Sequence, residues 1–289
     1  MKGQMKKLVL TVAAAAAVWG AVAAEMEDEN TNTLVRAVAK RLSVGAFADV
    51  ETAYWARGKI VDKNPYSAQY AELAFDLEPF GRIGGNAWSV SSMSRSGQGA
   101  NRQNFYNEVD YVAYYGYKFE ITDAWALDSS FGPKWVTLPG YHPHAETIYE
   151  WNLYQALENP YVTPYYLMRR AHYPVDWCYW DVGLKRSWEI CDALTLTVVA
   201  FGEFGNSRHF RSQYGANPND AGGGYSNGLM ALNLMVRLDY ALTDWLSLFA
   251  FVHQFDVVSG DARDALDRST APETVKDLTI GGVGIAVKF

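Results

Sequence analysis

Apolar and polar residues alternate with a period of two through most of the chain, and twelve such segments can be marked. They fall at residues 43–55, 66–77, 82–93, 106–119, 125–137, 148–157, 163–170, 177–189, 193–204, 228–241, 245–257 and 278–289. Runs of this kind predict β-strands with two unlike faces, because successive side chains of a strand point to opposite sides. In the fourth, Val109, Tyr111, Ala113, Tyr115, Tyr117 and Phe119 alternate with Glu108, Asp110, Val112, Tyr114, Gly116 and Lys118. In the tenth, Leu232, Leu234, Val236, Leu238 and Tyr240 alternate with Asn233, Arg237 and Asp239. Segments near 82–93, 163–170 and 245–257 leave their facing open; in the last, both series are apolar until His253.

The connections carry the architecture. Residues 78–81, 120–124, 158–162, 190–192 and 242–244 are short turns rich in Asp, Asn, Pro and Thr. The links at 57–65, 94–105, 138–147, 171–176, 205–227 and 258–277 are mostly longer and more polar. Strict alternation of short and long links predicts an all-β fold: a single antiparallel up-and-down transmembrane β-barrel of twelve strands over residues 42–289. Short turns then lie at the periplasmic rim and long loops at the extracellular one, with both ends of the mature chain in the periplasm.

Both termini speak to the compartment. In Gly282-Val283-Gly284-Ile285-Ala286-Val287-Lys288-Phe289, the residues Val283, Ile285, Val287 and Phe289 share one strand face. This run resembles the C-terminal signal of Gram-negative outer-membrane β-barrel proteins, in which a terminal Phe follows alternating apolar residues. The resemblance implies a bacterial outer-membrane location and the barrel-assembly machinery as a partner. At the other end, Lys2, Lys6 and Lys7 precede an apolar run from Leu8 to Trp19 and then Ala21-Val22-Ala23-Ala24. Residues 1–24 are expected to be a cleaved signal peptide, since the apolar core is short for a membrane anchor. Residues 25–41 stand apart as a periplasmic N-terminal segment. Its acidic start leads into Leu34, Val35, Val38 and Leu42 at helical spacing, which suits a short helix, a plug or a leader before the first strand.

Composition agrees with transmembrane strands. The chain is 49% hydrophobic and 15% aromatic, with 19 Tyr and 10 Trp. Yet outside the signal peptide no stretch approaches the roughly 18 apolar residues of a membrane-spanning helix. A secreted β-sandwich is the soluble alternative. Loss of the three leader lysines takes the formal charge from −7 to −10, which argues against nucleic acid as a partner. Cys178 and Cys191 lie at opposite ends of one expected strand, about 40 Å apart at the rise of a strand, and are read as free thiols.

A midplane Lys or Arg on a lipid-facing surface costs roughly 2–4 kcal/mol, so the ionisable series should face the lumen. That assigns inward Asp49, Glu51, Glu72, Asp76, Glu108, Asp110, Asp128, Glu150, Asp181, Glu203 and Asp239. Opposite them stand Lys118, Lys134, Lys185, Arg237 and Lys288, with Arg82 on a strand of open facing. The expected interior is polar and net acidic. It would suit a water-filled, cation-favouring lumen, or a closed barrel whose interior charges neutralise one another.

Other chemistry is sparse. His142-Pro143-His144-Ala145-Glu146 sets two imidazoles and a carboxylate at alternate positions, a metal-ligand pattern and equally an ordinary loop. Ser226-Asn227-Gly228 resembles the end of the serine motif of outer-membrane phospholipases, but Gly224 and Tyr225 precede it where that family carries a histidine. Residues 260–268 have acids every third position and read as a solvated helical turn with Arg263 near Asp267. Loop residues Arg208, His209 and Arg211 would suit lipopolysaccharide phosphates or a mobile loop. No cofactor is expected. Tyr149-Glu150-Trp151-Asn152-Leu153-Tyr154, followed by Asn159-Pro160-Tyr161-Val162-Thr163-Pro164-Tyr165-Tyr166, resembles the central hairpin of small porin-like channels. That resemblance implies passive diffusion of small hydrophilic solutes, with outer-membrane lipid and lipopolysaccharide around the barrel. A closed surface-interaction barrel and a lipid-acting enzyme are the alternatives.

Overall fold

Turns too tight to cross a barrel hold each strand beside its sequence neighbour, and the computed structural model shows the result for residues 40–93, 108–138, 147–269 and 275–289. The barrel strands are β1 (Leu42–Glu51), β4 (Tyr66–Asp76), β5 (Arg82–Ser92), β6 (Glu108–Thr122), β7 (Trp125–Thr137) and β8 (Ile148–Glu158). They continue with β9 (Thr163–Tyr173), β10 (Cys178–Cys191), β11 (Leu194–Gly205), β12 (Gly228–Ala241), β13 (Leu246–Val257) and β14 (Asp277–Lys288). A hairpin, β2 (Tyr54–Ala56) and β3 (Lys59–Asp62), lies in the first long loop. Helices α1 (Ser207–Tyr214) and α2 (Gly260–Arg268) lie in the fifth and sixth. The twelve strands close into one barrel, every pair antiparallel, with β1 bonded to both β4 and β14. Closure leaves no sheet edge, the condition for strands in lipid.

One face of nearly every strand is apolar and open. Leu232, Leu234, Val236 and Leu238 on β12, Val182 and Leu184 on β10 and Val283 on β14 are all exposed. A continuous apolar wall of this kind on a folded monomer is an interface for lipid. Aromatic side chains rim it: Phe119, Trp125, Tyr161, Trp188, Tyr240 and Trp245 near the short turns, Tyr149 and Tyr173 toward the long loops. The barrel is therefore of the bacterial outer-membrane type, in which the short turns are expected at the periplasmic rim. Phe289 sits in the ladder: its N–H donates to the Val44 carbonyl at 2.9 Å, its carbonyl accepts from Val44 at 3.1 Å, and its ring stacks on Trp245.

Register settles the strands that alternation left open, because residues directly opposite in a ladder share a face. On β13, Phe255 lies opposite Asn233 and Phe251 opposite Arg237, which turns Phe249, Phe251, His253 and Phe255 inward. On β5 the inward set is Arg82, Asn86, Trp88 and Val90. On β9 it is Tyr165, Leu167 and Arg169, with Leu167 opposite Asp181. Both series of β13 are apolar because its inner row packs against other rings, leaving nothing for a polarity pattern to report.

Among the described residues, three of the long loops pack together over the long-loop rim. Ala53, Ile60, Phe210, Tyr214, Met230 and Ala265 belong to one buried cluster drawn from the first, fifth and sixth loops and the strand ends below them. Two expectations change here. The first segment does not run on to residue 55: β1 ends at Glu51, and the chain turns back inside the barrel as β2–β3. The fifth loop is not an irregular stretch, since Asn206 caps a helix by accepting from the His209 N–H.

Candidate functional site

A cavity of about 970 Å³ occupies the barrel beneath the loop roof. Its ceiling is the tip of the β2–β3 hairpin. Ala56 pairs with Lys59, so Arg57-Gly58 is a two-residue turn, with φ of 54° and 82°. Positive φ at both central residues is the type I′ geometry that matches strand twist. Glycine suits the second place, and a side chain there would also press on Met230. Arginine at the first carries a steric cost, which points to a demand for its side chain. That demand is visible: the Arg57 guanidinium donates to Glu108 Oε1 at 2.8 Å, while the Tyr54 hydroxyl donates to Glu108 Oε2 at 2.7 Å. Burial alone would depress the Arg57 guanidinium, but Glu108, with Tyr179, Glu150 and Tyr54, holds it firmly protonated.

The fifth loop pins this tip from above. The Tyr214 hydroxyl donates to the Gly58 carbonyl, and the Lys59 ammonium donates to the Gln213 carbonyl at 3.3 Å. His209 is fully buried, stacked on Tyr179 at 4.5 Å and edge-on to Trp177. Burial, with the positive charge of Arg57, pushes its imidazole down to about 3. It is thus a neutral wedge inside the roof and no contact for lipopolysaccharide. Its neighbour Arg208 is engaged with Asp176.

Below the tip, charges line one side. Lys134 on β7 reaches Asp110 at 2.6 Å and lies 3.9 Å from Glu150. Arg169 on β9 holds Asp181 at 2.9 Å and lies over the Tyr179 ring. Glu203 on β11 is directly opposite Asp181. Asp49 and Glu51 are buried on β1, with Asp49 Oδ1 accepting from the Ala68 N–H at 3.2 Å. Glu72 accepts from the hydroxyls of Tyr70 and Tyr114. Toward the periplasmic mouth come Arg82–Asp128 at 2.9 Å, Lys118–Glu158 at 2.7 Å and Arg237–Asp239 at 2.6 Å. Asp76 and Lys185 are exposed on that rim, and Lys288 lines the cavity floor.

Sequence reasoning missed Arg57 and Arg169, which supply two of the three central bases. Alternation puts Arg57 in the link at 57–65, although a residue followed by Gly between Tyr54-Trp55 and Ile60-Val61 is a hairpin signal. On β9 both series end in arginine, Arg169 and Arg170, so parity could not choose between them.

The other candidates separate cleanly. Ser226 is exposed in the fifth loop, and among the described residues no imidazole is hydrogen-bonded to it; Asn227 instead accepts from the Ser207 N–H. The helical turn at 260–268 is present, but Arg263 pairs with Asp256 and Asp277, and Asp267 with Lys276. Arg263 prefers the strand ends because two carboxylates converge there. Cys178 and Cys191 are free thiols at opposite ends of β10. The His142/His144/Glu146 pattern and residues 1–39 lie outside the described residues.

No protein-family model matches the chain, and no curated protein matches it. Among solved structures, an outer membrane channel from Pseudomonas putida F1 superposes with a TM-score of 0.51 at 10% identity, covering 86% of this chain and 95% of that one. Outer membrane phospholipase A from Escherichia coli gives 0.47 at 13% identity, over 85% and 92%. The KdgM porin gives 0.44 at 8% identity, over 86% and 99%. At these identities the likeness is one of fold: this chain is built as outer-membrane barrels are.

Proposed function

We propose that the protein is an outer-membrane channel for passive diffusion of small hydrophilic solutes, with a preference for cations. The observation that carries this reading is the cavity itself, a space of about 970 Å³ in which Glu72, Glu108, Asp110, Asp181 and Glu203 match Arg57, Arg82, Lys134, Arg169 and Lys288 in number, with Asp49, Glu51 and Glu150 buried on the strands around it to tip the balance to acid. An excess of fixed negative charge inside low-dielectric walls raises the local concentration of cations. The β2–β3 hairpin is the constriction, and its release from Glu108 and Tyr214 would join the cavity to the outside. Outer-membrane lipid surrounds the barrel in this reading, and the assembly machinery and lipopolysaccharide remain its expected partners. The N-terminal 24 residues act as the export signal, and the segment at 25–41 as the periplasmic leader.

Conductance of the folded protein in a planar bilayer, with the reversal potential under a salt gradient, tests it. Stepwise, cation-selective currents are expected. Replacing residues 54–62 by a short Gly-Ser link should raise single-channel conductance severalfold. A second reading, a closed barrel acting through its surface loops, draws on the packing of the first, fifth and sixth loops into one cluster. It would stand, and the channel would fall, if both the intact and the hairpin-replaced barrels fold and stay silent.

A further inference from the structure

We infer that the cavity beneath the hairpin is a binding site for linear organic dications, that is, diamines and polyamines; this rests on the channel reading and names its solute class. Asp181 and Glu203 face each other directly on β10 and β11. Like charges so placed repel, and a sheet does not adopt that pairing for its own stability. Asp110 on β6 and Glu150 on β8 flank Lys134 of the strand between them. Together with Glu108 these are five carboxylates, all buried, and Arg57, Lys134 and Arg169 supply only three positive charges. Full ionisation of the five would leave two negative charges without a counter-charge among the described residues, a costly state in a low-dielectric space unless protons or a cation enter.

Hydrogen bonding gives an independent sign of the missing partner. Asp110 Oδ1, Asp181 Oδ1, Glu203 Oε2 and Asn152 Oδ1 are buried, belong to residues lining the cavity and accept from no donor among the described residues. The exposure of Asp110, Asp181 and Glu203 is 5%, 6% and 4%, so bulk water does not serve them freely. Acceptors without donors call for a ligand rich in N–H groups. The half-buried Trp88 ring lines the same space and offers a face to an alkylammonium group. Among the described residues no three carboxylates or imidazoles converge as a metal ion requires. Two ammonium groups on a flexible apolar chain meet the separated acidic pairs better than one compact ion. The volume is ample for such a chain.

The test uses 1,4-diaminobutane on the purified, folded full-length protein, read by tryptophan fluorescence and by ion current in a planar bilayer. Butylamine, succinate and calcium serve as controls. The diamine should change the fluorescence, and block current from the periplasmic side, at concentrations at least about tenfold below those of butylamine. Glu203→Gln, folded by heat-modifiable migration, should weaken the effect about tenfold. Absence of any effect would overturn the inference, as would an equal response to succinate or calcium, or an unchanged response in Glu203→Gln. A protein that carries no current yet shows the diamine-selective fluorescence change would sustain this site and sink the channel reading, so the two fail separately.

Discussion

The two sides of the lumen are built on opposite plans. From β6 to β11 the inner face is charged, and its carboxylates and bases are held in ion pairs through Lys134, Arg169 and the inserted Arg57. From β13 through β14 and β1 to β4 a row of rings runs beside the buried Asp49 and Glu51: Phe47 stacks on Tyr70 at 5.1 Å and meets Phe249 edge-on at 6.1 Å, and Phe249 continues to Phe251. Rings can lie flat there because β14 presents Gly282 and Gly284 opposite them. The rings therefore pack against one another, and the cavity reaches this side at Ser43, Tyr70, Glu72, Ala74 and Lys288. The charged side cannot collapse in that way without burying unpaired ions, so the open volume lies against it. A barrel of intermediate width is thus neither simply full nor simply open; which half stays open follows from what its side chains can pack against.

The largest break in this contrast should come from the charged side. Lys134→Met leaves Asp110 and Glu150 without their shared base, and should cost about 3–5 kcal/mol in urea unfolding. Adding Asp110→Asn in the same chain should recover most of the loss. Next is pH acting on the roof above that side. His209 is held near 3 in the closed state against 6.5 when released, so the released helix takes up a proton more readily. The roof keeps its full stability above pH 6.5 and loses it as pH falls toward 3. At pH 4 the loss is about 3 kcal/mol. Hydrogen exchange of α1, corrected for intrinsic rates, should accelerate accordingly, and His209→Phe should flatten the response.

The aromatic side should answer to volume instead. A side chain at Gly284 would meet the Phe249 ring at 2.3 Å and the Ala48 carbonyl at 2.6 Å, and the latter is backbone that cannot rotate away. Gly284→Ala should destabilise by about 1–3 kcal/mol in the same unfolding assay, with no dependence on salt. The smallest effect belongs to the charged side at its rim. Lys118 and Glu158 are both 45% exposed, so Lys118→Met should change stability by no more than about 1 kcal/mol, and by less in high salt. A loss as large as that of Lys134→Met would erase the distinction between the paired interior and the solvated mouth.

How far each part could be read from the sequence follows the same division. The alternation of Tyr111, Ala113 and Tyr115 with Glu108, Asp110 and Val112 is a local signal, and β6 appears where it was expected, within a few residues. The alternation of short turns and longer links likewise gave the closed antiparallel barrel, although the link between β9 and β10 shrinks to residues 174–177 because both strands run on. Where both faces are apolar, as on β13, or both end in arginine, as on β9, a local pattern has nothing to distinguish. Only the register with a neighbouring strand decides those cases.

Strand number, order and the polar character of the inner surface were determined by the sequence alone, because a strand in lipid must show apolar residues on one face and turn its charges away. The tertiary structure alone decided which carboxylates meet which bases, that Arg57 enters from a loop to take Glu108, and that His209 is buried on the inner face of α1. Those outcomes depend on contacts between segments as far apart as Gly58 and Tyr214, whose pairing is set by the shape of the closed barrel and leaves no trace in the periodicity of either segment.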